Sequence, residues 1–153
     1  MEDRAFWNDT GEVIRVLVRR FGILNTSCCD NCCGEEVSPV QSYIIMEIDS
    51  RECPSMQDVA RSLDLDITTF SRQIKTLECR GLVTKRPDPG DKRINLLELT
   101  PEGKRVKNQI NNRMQEYLKL LFSEMTEFER DTVVRSVKLL SEAFANSGIC
   151  CLR

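Results

Sequence analysis

Between Leu82 and Leu99 the chain changes its period. "LVTKR" and "KRINLLEL" are rich in β-formers and flank "PDPGD", which has three turn-forming residue types in five positions. Two such runs around a Pro/Gly turn predict a β-hairpin. Elsewhere the apolar residues recur at spacings of three and four, the mark of helices with one buried face. A single hairpin set among helices predicts a mainly α fold with a small β wing.

The helical segments come with their own start signals. Val13, Ile14, Leu17, Val18, Phe21 and Leu24 predict a first helix from Thr10 to about Ser27. "SPVQSYIIMEI" starts a second, with Ser38 as cap and Pro39 in the first turn. "SMQDVARSL" starts a third, with Ser55 and Asp58 in capping-box-like spacing. In "DITTFSRQIKTLECRG" Asp66 caps a fourth helix, Ile67–Arg80. Phe70, Ile74 and Leu77 bury one face, and Gly81 supplies a left-handed stop. After the hairpin, Thr100 caps and Pro101 opens a long helix striped by Val106, Ile110, Met114, Tyr117, Leu121 and Met125. It spans about 25 residues, near 37 Å at 1.5 Å per residue. "TEFE" from Thr126 is a capping box for a last helix carrying Val133, Val137, Leu140 and Phe144.

At 153 residues, with 41% apolar and 30% charged, the chain fits one globular domain. It has no apolar run near the roughly 20 residues of a membrane span, and its acidic N-terminus lacks a signal-peptide stretch. These features predict a cytoplasmic protein without membrane contact, a setting in which disulfides are transient. The net charge of −2 is unevenly spread: −7 over residues 1–67, +4 over 68–105 and +1 over 106–153. A basic middle in an acidic chain points to a polyanion partner.

Helix, turn, helix and basic hairpin in that order make the plan of a winged helix-turn-helix. The outer face of the fourth helix carries Thr68, Thr69, Ser71, Arg72, Gln73 and Lys75: short hydroxyls near its start, then longer donors. A helix fits the major groove of B-DNA with its N-terminal residues nearest the base edges. Lys92 and Arg93 at the hairpin tip suit a phosphate or the narrow minor groove, with Lys85 and Arg86 flanking the same wing. The remaining helices lie outside this reading unit. Their apolar stripes ask for a partner, which a symmetric homodimer on two half-sites of double-stranded DNA would supply.

From "SPVQSYIIMEI" through "SMQDVARSLDLDITTFSRQIKTLECRGLVTKRPDPGDKRINLLELTPEGKRV" the chain resembles the MarR family of bacterial transcriptional regulators. "LECRGLVTKRPDPGDKR…LTPEG" is the most specific part of the resemblance. It implies one MarR-like domain over 1–153, with a DNA-binding part at 37–100. The helical dimerisation parts would be 5–36 and 101–151. It implies DNA contacts at Thr68, Thr69, Arg72 and Lys75, and a wing in which Arg93 enters the minor groove while Asp91 helps hold it. It also implies homodimers on pseudo-palindromic operators, often repressors released by a small ligand or by cysteine oxidation.

"TSCCDNCCG" is no part of that family pattern. Cys28, Cys29, Cys32 and Cys33 fall between the first two expected helices, and Cys150 and Cys151 follow the last. Cys29-x-x-Cys32 has the spacing of a metal knuckle. Eight cysteines and no histidine favour soft or thiophilic ions: zinc, cadmium, copper(I), mercury or arsenite. The terminal pair is positioned in sequence to add a further ligand. Oxidation of the same thiols to a disulfide is the alternative input, although Asp30, Glu35 and Glu36 oppose thiolate activation. Iron–sulfur ligation matches no standard cysteine run. Cys53 and Cys79 are expected as small core fillers. A thiol oxidoreductase lacks its βαβ setting and a histidine base, so no enzyme is expected. A winged helix that binds protein instead of DNA is the remaining rival.

Overall fold

The computed structural model describes residues 4–29 and 37–148, with side chains for 9–22 and 37–148. Its elements run α1 (Arg4–Cys29), α2 (Pro39–Asp49), α3 (Met56–Ser62), α4 (Ile67–Cys79), β1 (Val83–Pro87), β2 (Asn95–Leu99), α5 (Pro101–Ser123) and α6 (Glu127–Ser147). The expected mainly α fold with one small sheet is the fold observed. No described helix is long and apolar enough to cross a membrane.

The caps sit where the sequence places them. Ser38 and Thr126 close reciprocal capping boxes with Gln41 and Glu129. At Ser55 the reciprocity differs: its Oγ accepts from the Asp58 amide at 3.1 Å but donates to the Asp58 carboxylate at 2.6 Å. An aspartate at that position is too short to return to the cap backbone as Glu or Gln does. Helix α4 stops at Gly81 (φ 68°), where Gly81 N–H meets Glu78 O at 2.9 Å and Leu82 N–H meets Leu77 O at 2.9 Å. That pair of bonds is a Schellman stop, and it turns the chain directly into β1.

Helix α1 is longer at both ends than the Thr10 to Ser27 span, and it carries Cys28 and Cys29 on helical backbone instead of in a connection. Phe6 and Trp7 stand one heptad before Val13 and Ile14, so the apolar register extends backwards in the sequence. Forwards, no Pro or Gly intervenes between Leu24 and Cys29 to stop the helix. Cys32, Cys33, Cys150 and Cys151 lie outside the described residues.

By internal contacts the chain divides into 1–114 and 115–153, a boundary within α5. In the first unit, Ile44, Ile45 and Ile48 of α2, Val59 of α3, Phe70, Ile74 and Leu77 of α4, and Val106 and Ile110 of α5 close a core with Leu82, Val83 and Leu97 from the hairpin. Burying each such side chain contributes about 1.5–3 kcal/mol, enough to hold a short α3 and a two-stranded sheet that would not stand alone. The strands pair antiparallel from Val83 opposite Leu99 to Pro87 opposite Asn95. The segment before α3 joins them, with Leu97 N–H on Pro54 O at 2.9 Å. Helix α1 leaves Val13, Leu17, Val18 and Phe21 exposed. In the second unit α6 buries no residue, and Phe128, Val137, Leu140 and Phe144 face outward.

Thr100 joins recognition helix, wing and α5. Its Oγ1 donates to Gly81 O at 2.6 Å and accepts from Gly103 N–H at 2.9 Å, while its own N–H reaches Leu82 O at 3.1 Å. Gly103 is needed there because a Cβ would collide with the Leu82 backbone carbonyl. Gly103→Ala is therefore expected to lower stability by about 1–3 kcal/mol, seen as a reduced thermal midpoint. A Gly22→Ala control, with open space around the added methyl, should not fall.

Candidate nucleic-acid interface

Helix α4 is anchored at its start by Asp66, whose Oδ1 accepts the Thr69 amide at 2.9 Å. Hydrogen bonds from the Thr69 side chain, then from its backbone, hold the Asp66 carboxyl below the usual carboxylate range. With Phe70, Ile74 and Leu77 fully buried, the helix has one rotational setting. That setting exposes Thr68, Thr69, Arg72 and Lys75 and leaves Ser71 half-buried. Thr76 also lies on the exposed side, its hydroxyl bonded to Arg72 O at 3.1 Å. Gln73 stands apart from this set: it is half-buried, and its Oε1 accepts from Gln41 Nε2 of α2 at 3.0 Å.

The hairpin tip is built on two aspartates. Asp88 Oδ1 accepts the amides of Gly90 (2.6 Å) and Asp91 (3.0 Å), and Asp91 Oδ1 accepts the amide of Arg93 (3.0 Å). Backbone bonds Asp88 N–H to Ile94 O and Ile94 N–H to Asp91 O, each 2.9 Å, close the loop. Asp91 thus steadies Arg93 through its backbone, leaving the guanidinium outward. This loop takes Lys92, Arg93 and Ile94 out of the expected second β run, so β2 begins at Asn95.

The cations around the wing fall into two sets. Lys85 is paired with Glu78 at 2.6 Å and Arg86 with Glu98 at 2.8 Å, so the two flanking residues are held internally. Arg72, Lys75, Lys92 and Arg93 are exposed and make no ion pair with another described residue. The free set lies on the recognition helix and the wing tip.

Neither lone cysteine fills the core. Cys79 is exposed because it follows Phe70 by nine residues, two and a half helical turns, and so falls on the opposite face. Cys53 is half-buried with φ 48°, donating to Glu98 Oε1 at 2.8 Å and receiving Arg86 Nη2 at 3.0 Å. The Cys53 bond, then the Arg86 bond, hold the Glu98 carboxyl below its ordinary range. Among the described residues no group of three or more Cys, Asp or Glu side chains is set to hold a metal.

The sequence pattern of the MarR family matches residues 37–94, the span from the start of α2 to the wing tip. The HTH-type transcriptional regulator YxaD of Bacillus subtilis is 30% identical over 105 residues, which cover 67% of this chain and 73% of YxaD. The multiple antibiotic resistance protein MarR of Salmonella typhimurium is 27% identical over 78 residues, 51% of this chain and 54% of that protein. The apo crystal structure of wild-type MarR from Escherichia coli superposes with a TM-score of 0.74 at 22% identity. The match covers 85% of this chain and 94% of that one, and it shows the same fold.

Because the Asp66 carboxyl is depressed in the folded chain, its contribution to stability is full above the usual carboxylate range and is lost as pH falls through its folded value. Asp66→Asn keeps a capping oxygen without the titration. The variant should show a shallower loss of helix stability than wild type below about pH 4, measured by circular dichroism melts across pH.

Proposed function

The chain belongs to the MarR family, and from that premise we propose a homodimeric repressor that binds a pseudo-palindromic operator and is released when its CCxxCC cluster captures a soft metal or metalloid ion. Regulators of this family are non-enzymatic, bind DNA and act as dimers. The observation that carries the DNA contacts is the set of exposed cations Arg72, Lys75, Lys92 and Arg93, which pair with no other described residue, set beside Lys85 and Arg86, which are neutralised within the fold. Thr68, Thr69 and Ser71 lie with them near the helix start, where base edges are nearest. Exposed stripes on α1 and α6 fit the homodimer, since a second copy would cover them.

The input reading rests on donor chemistry. Cys28, Cys29, Cys32 and Cys33, joined by Cys150 and Cys151, would hold the ion through thiolates, and the bound ion supplies a cross-link between them. Asp30, Glu35 and Glu36 attract cations and disfavour a reactive thiolate, which weighs against peroxide as the signal. Cys28 and Cys29 end α1, so an ion there acts on a helix with an uncovered apolar stripe. A coupling of about 3 kcal/mol would weaken operator binding roughly 150-fold.

Arg72→Ala with Arg93→Ala should weaken operator binding about 100-fold and flatten its salt dependence, with an unchanged melting midpoint. Unaltered affinity would favour a protein-binding winged helix. Anaerobic titration of the protein–operator complex with zinc, cadmium, copper(I) and arsenite should release DNA, and serine at positions 28, 29, 32 and 33 should abolish release. Release by peroxide alone would instead assign the cluster to oxidation.

A further inference from the structure

Gln41 is 8% exposed, lies on α2 and appears in none of the contacts expected with DNA. Its side chain nevertheless touches the recognition helix, and the chemistry of its partners leaves one orientation. Its Oε1 lies 3.2 Å from the Ser38 amide and 3.4 Å from Arg80 Nη1, both groups that only donate. The carboxamide oxygen must face them. Its Nε2 must then face Gln73, where the 3.0 Å contact requires an acceptor, so Gln73 is also fixed with Oε1 turned inward. Gln73 Nε2 is left with its two N–H groups bonded to no other described residue.

We propose that Gln41 is a positioning residue that sets the polarity of Gln73, so that Gln73 presents donors to the operator and selects an acceptor-bearing base edge. The inference rests on the DNA-binding reading above. A free glutamine pairs with adenine by accepting from N6 and donating to N7. A glutamine whose oxygen is held from behind offers donors alone, which best fit guanine, the base with two major-groove acceptors, O6 and N7. Chain fold and affinity do not depend on this choice; the base preferred at one position in each half-site does.

Replacing Gln41 by Glu reverses the logic. One carboxylate oxygen keeps the Ser38 and Arg80 donors, and the other can only accept, so Gln73 must turn Nε2 inward and Oε1 outward. Gln73→Glu offers the same outward acceptor from a half-exposed position that tolerates substitution, in case Gln41→Glu does not fold. The probe is a randomised duplex library with fixed flanks, selected by full-length wild type, Gln41→Glu, Gln73→Glu and Gln73→Ala at one salt concentration.

Wild type should prefer guanine about tenfold at one base pair of each half-site, and Gln73→Ala should lose that preference alone. Gln41→Glu and Gln73→Glu should both move it to cytosine or adenine at the same base pair, leaving other positions as in wild type. A merely structural Gln41 would change melting temperature and overall affinity without moving the preferred base. If Gln73→Ala keeps every preference, or both Glu variants retain guanine, the proposal is overturned while the DNA-binding reading stands. If wild type enriches no sequence, the DNA-binding reading itself fails and takes the proposal with it.

Discussion

The contact of Thr100 and Gly103 with the Gly81–Leu82 backbone is the constraint on which the reading head depends. One hydroxyl bridges the left-handed stop of α4 and the free Gly103 amide in the first turn of α5. Recognition helix, wing base and long helix therefore meet within hydrogen-bonding distance of a single residue. The close approach excludes a Cβ at position 103, so the first turn of α5 accepts a glycine despite its poor helix propensity. What α4 presents outward follows from this fixed end, from the Asp66 cap at the other end, and from three fully buried side chains between them.

Charge is arranged to suit that rigidity. Pairing Lys85 with Glu78 links the hairpin to α4, and pairing Lys107 with Asp49 (2.7 Å) links α5 to α2. Both pairs are about one-quarter to one-third exposed, so each stabilises modestly and mostly fixes geometry. The Arg86–Glu98–Cys53 contact does the same between the wing and the segment before α3. Cations used in this way are poor phosphate ligands, since each would first have to leave its carboxylate. Those on the outer face of α4 and at the wing tip face no such competition from a described carboxylate, which is why local net charge alone overstates the binding surface.

Most of the frame was legible because it is local. Caps at Ser38, Ser55, Asp66, Thr100 and Thr126, the stop at Gly81 and the turn in "PDPGD" each depend on residues close in sequence. The illegible features are long-range or lie at an element's edge. That Lys85 and Arg86 are neutralised depends on Glu78 and Glu98, brought near only by the fold. Gln73 looked like one more polar residue on the outer face, and its tie to Gln41 spans α2 and α4. Cys79 needed only its helical phase to be placed outside. Cys53 gave no signal, because its left-handed backbone and polar partners belong to a turn that the sequence does not announce. Helix α1 exceeds its expected limits because its apolar register begins at Phe6, one heptad before Val13.

The two sorts of apolar surface suggest where an input can act without dismantling the reader. Residues 37–114 close around their own core, whereas α6 buries nothing and α1 leaves five large apolar residues of its stripe exposed. A homodimer, as proposed above, would cover those stripes and make their stability depend on protein concentration. A ligand at the end of α1 would act on an element that leaves apolar surface uncovered, while α4 keeps its cap, core and glycine stop. In a dimer, the quantity changed would then be the relation between two intact recognition helices. Half-site spacing makes that relation decisive for affinity, because two helices must meet successive major grooves together. On the proposed reading, thiols at the end of α1 would need no new contact with DNA to act on it.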